Sequence, residues 1–214
     1  MKNYLLLAGL ALCFISCSSD DDNTIPEPEE NFYALTVGNS WVYEQYQREN
    51  QATAVYNPTG VIDSVKIVAT EMIDGYEFYK YRIRRSGNDS NNPIHGQNGE
   101  RFNYFRDSLG YLVSHDGKMV FSREDDQEFF LYDGPVYPVY TKRGENTEII
   151  TAEAGEFECG YMEIYARMEP GGELLPALDK IHYAEGIGEV RRTISFASSS
   201  IPVIERRLIS YSIE

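Results

Sequence analysis

The chain has 214 residues with 34 acidic and 19 basic side chains, a formal net charge of −15 at pH 7. That balance argues against a nucleic-acid partner, which needs a basic footprint to neutralise phosphates, and against a charge-driven grip on an anionic membrane surface. An apolar share of 42% is enough for a core, so the question passes to how the apolar residues are distributed along the chain.

Residues 1–16 read as an export signal. Lys2 supplies the positive start, and Tyr4 to Ile15 is an apolar run of about a dozen residues, short of the roughly 20 that cross a bilayer as a helix. The stretch Phe14-Ile15-Ser16-Cys17 resembles the lipobox of bacterial lipoproteins, with Phe14 standing where Leu is usual. That resemblance implies cleavage before Cys17, acylation of its sulfur and a lipid anchor in the outer membrane. The alternative is an ordinary secretory signal that leaves Cys17 an unpaired thiol in an oxidising compartment.

Ser18, Ser19, Asp20, Asp21 and Asp22 resemble the short acidic export signal of Bacteroidota lipoproteins that are displayed at the cell surface. Read without the resemblance, they are a solvated acidic linker. Residues 17–30 thus form the lipidated cysteine and an acidic tether, too polar to offset chain entropy by burial. At up to ~3.4 Å per residue its thirteen residues beyond Cys17 reach roughly 45 Å.

Residues 31–214 form one domain carrying 28 acidic and 18 basic residues, a net charge of about −10. Cys159 is its single cysteine, so no internal disulfide is available and the core must hold the fold. Short runs of Val, Ile, Tyr and Phe recur with turn residues between them, and no sustained 3.6-residue period is present. The expected class is mainly β: one curved antiparallel sheet, half-barrel or sandwich of about eleven strands. In chain order the expected strands are 41–48, 61–70, 76–84, 111–114, 118–122, 128–132, 147–152, 156–168, 180–184, 188–197 and 203–213. Asp74-Gly75 and Asp116-Gly117 are hairpin turns. Ser86 to Arg101, rich in Gly, Asn and Asp, is expected to be a long mobile surface loop, and Glu169 to Pro176 a second loop with one helical turn after it. In the run around Cys159 the apolar phase changes at Gly160, which predicts a bulge or bend there.

Three motifs, Leu35-Thr36-Val37-Gly38-Asn39-Ser40-Trp41-Val42-Tyr43, Ala154-Gly155-Glu156-Phe157-Glu158-Cys159 and Tyr183-Ala184-Glu185-Gly186-Ile187-Gly188-Glu189-Val190, are similar to the "GNxWxY", "AGxFxC" and "GxGxV" pattern of uncharacterised Bacteroidota outer-membrane lipoproteins. The resemblance implies a curved antiparallel sheet or sandwich and no particular reaction. The Gly-Ile-Gly run is not a dinucleotide loop, because a strand and not a helix follows it.

No constellation in the sequence names a reaction. His95, His115 and His182 lack zinc spacing, and Glu124-Asp125-Asp126 lacks the alternating donors of a calcium loop. Serine-hydrolase and phosphate-loop signatures are absent. The expectation is therefore a protein that is not an enzyme and needs no metal or cofactor. Its 17 Tyr and 10 Phe point to sheet packing or to aromatic binding surfaces for a glycan or protein partner, with Phe102, Tyr104, Phe105 and Tyr111 as the candidate binding residues. A carrier reading expects a concave face lined by Met162, Ile164 and Met168 around an open cavity. A glycoside-hydrolase reading needs two facing carboxylates. Asp63-Ser64-Val65 and Asp107-Ser108-Leu109 resemble acceptors of Bacteroidota O-glycosylation, a modification that requires exposure and favours Ser64.

Overall fold

A computed structural model describes residues 31–214. The signal, Cys17, the Ser18 to Asp22 run and the rest of the tether lie outside the described residues. Thirteen strands follow in order: β1 (Ser40–Arg48), β2 (Tyr56–Ile73), β3 (Tyr76–Ser86), β4 (Gly99–Ser108), β5 (Tyr111–Ser114), β6 (Met119–Ser122), β7 (Phe129–Asp133), β8 (Pro138–Arg143), β9 (Glu148–Ala152), β10 (Gly155–Arg167), β11 (Leu174–Ala184), β12 (Gly188–Ile194) and β13 (Ile204–Ser212). Among the described residues no helix is long and apolar enough to cross a membrane.

The strands form one antiparallel sheet in the order β6-β5-β4-β3-β2-β1-β13-β12-β11-β10-β8-β7, with β9 added beside β10. First and last strands pair at its middle, so the two halves of the chain are meanders that meet at β1 and β13. The sheet curls into a nearly closed barrel whose seam is not sealed: β6 approaches β10 without pairing to it. Residues 31–36 pack across that seam. The Tyr33 hydroxyl donates to the Gly110 carbonyl at 2.6 Å, and its ring meets Phe121 and Tyr183 edge-on. Each such aromatic pair adds about 0.5–1.5 kcal/mol beyond its buried area.

Turn chemistry sets the register at one end. Asp74 (φ 51°) and Gly75 (φ 84°) both take the left-handed conformation that a two-residue hairpin needs, and Ile73 pairs with Tyr76 across them. The change of phase at Gly160 marks a change of partner. Residues 155–159 of β10 pair with β9, while residues 160–167 pair with β11 and β8. One strand thereby serves two parts of the sheet, and no register shift is needed at Gly160 itself. The β9 hairpin then lies against β12 and β13, where Ile150, Cys159, Val190 and Leu208 close a buried cluster that also holds Trp41 and Tyr43.

Several expectations need correction. β4 and β8 are strands that the sequence reading omitted, which raises the count from eleven to thirteen. Residues 174–176 belong to β11, so the second loop is shorter and carries no helical turn. The loop between β3 and β4 is folded inward and pinned. Asn88 is buried and its amide donates to the carbonyls of Asn92 and Gly96 at 2.8 and 2.7 Å, while Pro93–His95 form one 3₁₀ turn that buries His95. A polar loop that satisfies its own backbone in this way needs no water to do so.

Candidate functional site

Period-two alternation sends every second residue of a strand to one face. On β1 these are Trp41, Tyr43 and Gln45, on β2 Asp63 and Val65, on β3 Tyr81, Ile83 and Arg85, and on β4 Arg101, Asn103 and Phe105. With Glu189, Arg192 and Ile194 from β12 and Ile204 and Arg206 from β13 they enclose a cavity of about 260 Å³ inside the barrel. Its two ends differ in chemistry. Trp41, Tyr81, Phe105, Leu112, Val120 and Tyr183 make an apolar, aromatic floor, in which Trp41 stacks on Tyr81 and its indole N–H donates to the Ile187 carbonyl at 2.6 Å.

Above the floor, register brings the charges together. Asp63 pairs with Arg85, Gln45 with Arg206, and Arg192 with Arg206 across neighbouring strands. Arg85 grips Asp63 with Nε and Nη2, both at 2.7 Å, and Arg206 adds its Nε at 2.9 Å. Glu189 accepts from Arg206 Nη1 at 2.6 Å and from Arg192 Nε and Nη2 at 3.2 and 2.7 Å. Burial alone would raise both carboxyl pKa values. The guanidinium groups of Arg192 and Arg206 outweigh it at Glu189, held at about 2, and Arg85 and Arg206 do the same at Asp63, held below its ordinary value. Both are ionised at neutral pH.

The 87–98 loop covers part of the opening with Ile94 and His95. Arg85 Nη1 donates to the His95 carbonyl, and Gln45 donates to the same oxygen at 3.2 Å. The His95 ring is held on both sides, with Nδ1 2.8 Å from Gln45 Oε1 and Nε2 3.1 Å from Gln47 Oε1. Burial and Arg85 push the His95 pKa down, which keeps the ring neutral. Gly96 (φ 70°) closes the loop where a Cβ would collide with the Arg85 guanidinium.

The residues singled out in the sequence are dispersed. Phe105 faces the cavity, whereas Phe102 and Tyr104 lie under the Lys80 ammonium, and the Tyr111 hydroxyl bonds Asp125. Those four aromatics therefore form no single surface. The carrier lining is also different from the one expected. Met162 is fully buried in the cluster of Phe121, Ile181 and Tyr183, Met168 is exposed, and none of Met162, Ile164 and Met168 lines the cavity.

His95, His115 and His182 occupy separate settings, beside Gln45, Tyr104 and Glu148 respectively. Among the described residues no three His, Cys, Asp or Glu side chains converge as metal ligands would. Cys159 is fully buried and burial pushes its thiol up to about 12. Ser64 is exposed, but Asp63 of its triplet is locked in the cavity; in Asp107-Ser108-Leu109 both flanking residues are exposed and Ser108 is half-buried. Ser64 is thus the more exposed of the two serines, as expected, beside a buried Asp63.

Sequence reasoning missed Arg85, Arg101, Arg192, Arg206 and Glu189 as a group. The one available signal was the run of basic residues at alternate or adjacent strand positions in a strongly acidic chain.

No family model matches the chain, and no curated protein matches it. Among solved structures it is similar to a protein of Bacteroides fragilis NCTC 9343 whose name gives it as an exported protein with a YmcC-like fold. The TM-score is 0.50 at 13% identity, over 86% of this chain and 99% of that one. It also aligns with a protein of Parabacteroides distasonis ATCC 8503 that carries the name lipoprotein, with a TM-score of 0.45 at 13% identity over the same shares. At that identity the first likeness shows the fold alone: a YmcC-like β architecture.

Proposed function

We propose that this protein is a non-catalytic, lipid-anchored binding protein that takes a small, largely apolar molecule into its barrel. The cavity carries the reading: an aromatic floor beneath a few convergent polar groups is the form that small-molecule sites take. Acylated Cys17 holds it at the outer membrane, and Ser18 to Asp22 direct it to the cell surface. Asn31 lies beside Gly186 and Glu214, at the Trp41 end of the barrel and away from Arg101.

The state of the two cavity carboxylates speaks against glycoside hydrolysis in this cavity. A glycosidase needs one carboxylic acid with a raised pKa, whereas Asp63 and Glu189 are both held ionised by arginines. A second reading, a periplasm-facing carrier, shares the cavity and differs only in location.

Binding is tested with the chain from residue 17 onward carrying Cys17→Ser, titrated with octanol while the emission of Trp41, the protein's single tryptophan, is followed. The expected result is saturable binding that an Asn103→Trp variant, with the cavity filled, no longer shows by calorimetry, the readout used for that variant because its added tryptophan also emits. No saturable response in the unfilled protein to octanol or to octanoate would sink the proposal. Protease shaving of intact cells decides location: wild type cut and an Asp20/Asp21/Asp22→Ala variant protected fits the surface, and both protected until lysis fits the carrier.

A further inference from the structure

The cavity has a surplus of positive charge. Four arginines line it, Arg85, Arg101, Arg192 and Arg206, against two carboxylates, Asp63 and Glu189. This stands out in a domain whose net charge is about −10. The two carboxylates are already paired, with three charge-assisted hydrogen bonds each. Donors remain after that pairing. Arg192 Nη1 and Arg206 Nη2 make no hydrogen bond, and neither belongs to the buried atoms that lack a partner, so each faces space that solvent or ligand can reach.

Arg101 is the clearest case. It stands exposed at the rim and makes no hydrogen bond or ion pair among the described residues. Loss of hydration and the nearby cations Arg85 and Arg206 push its pKa down, and they outweigh Asp63, whose carboxylate is already hydrogen-bonded to Arg85 and Arg206 rather than to Arg101. The guanidinium still carries its charge at neutral pH. A cation held near two others without an anion of its own is an unfinished site, and a planar fork of this kind matches carboxylate and phosphate oxygens.

Resting on the cavity reading above, we propose that the ligand is an anionic amphiphile. Its carboxylate or phosphate head is met by Arg101 with the free nitrogens of Arg192 and Arg206, and its apolar part lies on Trp41, Tyr81 and Phe105. Size limits the tail. A cavity of about 260 Å³ holds roughly nine water-sized units. A methylene is about that size, so the apolar part is about that of an eight-carbon chain. Proximity places the head on this level: Arg101 lies within electrostatic reach of Arg85 and Arg206, and four residues along β4 separate it from Phe105, whose ring meets Tyr81 over the Trp41 floor.

The test compares octanoate, octyl phosphate and octanol on the chain from residue 17 onward with Cys17→Ser, so that no acyl group of its own competes. Trp41 emission and calorimetry supply the readouts. One or both anions bind at least about tenfold more tightly than octanol, as expected for charge-assisted hydrogen bonds formed in place of neutral ones. Whichever anion binds identifies the head. Arg101→Gln, a change at an exposed side chain with no partner to lose, removes most of that preference and leaves octanol unchanged. Arg84→Gln, on the exposed Arg84 to Glu100 pair, leaves all three unchanged. Equal affinity for the three ligands, insensitive to Arg101→Gln, would overturn the anionic head while the cavity reading stands. Failure of octanol and both anions alike overturns the two together.

Discussion

Glu189→Gln is the substitution that probes the charged belt most sharply. The carboxylate is buried, 9% exposed, and takes three hydrogen bonds from Arg192 and Arg206. An amide of the same shape keeps one acceptor oxygen, loses the charge and turns an N–H₂ group toward arginine donors. Removing one partner of a buried pair costs about 3–5 kcal/mol. Arg206 keeps Asp63 and Arg192 is about one-third exposed, so the loss lies toward the lower end. The carboxyl's fall from 4.5 to about 2 leads to a similar figure, since each pKa unit is ~1.4 kcal/mol and the sum is roughly 3 kcal/mol. For a domain of this size that is a fall in Tm of about 6–12 °C.

Urea unfolding followed by Trp41 emission measures it directly, with Glu100→Gln as the exposed control that shifts stability by less than about 1 kcal/mol. The pH dependence has a definite sign. A carboxyl whose pKa is lowered by folding stabilises the protein above its unfolded value and loses that contribution as pH falls through its folded value. Wild type and variant therefore differ fully above about pH 4.5 and converge toward pH 2. A loss below about 1 kcal/mol at neutral pH, or a difference that persists at pH 2, would refute the assignment of Glu189 as a paired, charged group.

Further expectations concern His182, Cys159 and Gly96. His182 is fully buried and burial holds its pKa at about 4, so at pH 7 it is neutral and its Nε2–H donates to Glu148 at 2.9 Å. Because its folded pKa is lower than its unfolded one, its contribution is complete above about pH 6.5 and is lost as pH falls to 4, roughly 3 kcal/mol in all. His182→Asn should flatten the stability profile across that window, and an unchanged slope counts against the assignment. Cys159, fully buried and with its thiol pushed up to about 12, should resist a thiol reagent in the folded chain carrying Cys17→Ser and react once in denaturant. Rapid labelling of the folded protein would contradict the packing around Ile150 and Leu208. Gly96→Ala should loosen the 87–98 loop, because its Cβ meets the Arg85 guanidinium; faster amide exchange at Asn88 and His95 checks this.

Much of the scaffold was legible because turns and alternation are local signals. Asp74-Gly75 and Asp116-Gly117 mark their hairpins, and the phase change at Gly160 marks where β10 exchanges β9 for β8 and β11. β4 was not legible for a physical reason. Its inward positions near the mouth are Arg101 and Asn103, polar because they line a cavity, so the strand reads as a continuation of the loop before it. β8 is short and begins at Pro138, which reads as a turn.

The apolar alternation at Met162 and Ile164 correctly marked a face, but Phe121 and Tyr183 fill the space in front of it, and no local pattern reports that. The charged belt was invisible for the same reason. Asp63, Arg85, Glu189, Arg192 and Arg206 meet only because β1 pairs with both β2 and β13, a long-range register fixed by the whole sheet.

The claim that the barrel is a binding site is tested most directly by native mass spectrometry of the protein extracted from the cells that make it. A bound anion of small mass, present in wild type, reduced in Arg101→Gln and absent when Asn103→Trp fills the cavity, is the predicted result. A wild-type protein that carries nothing, and that takes up neither octanoate nor octanol when these are added, would contradict it.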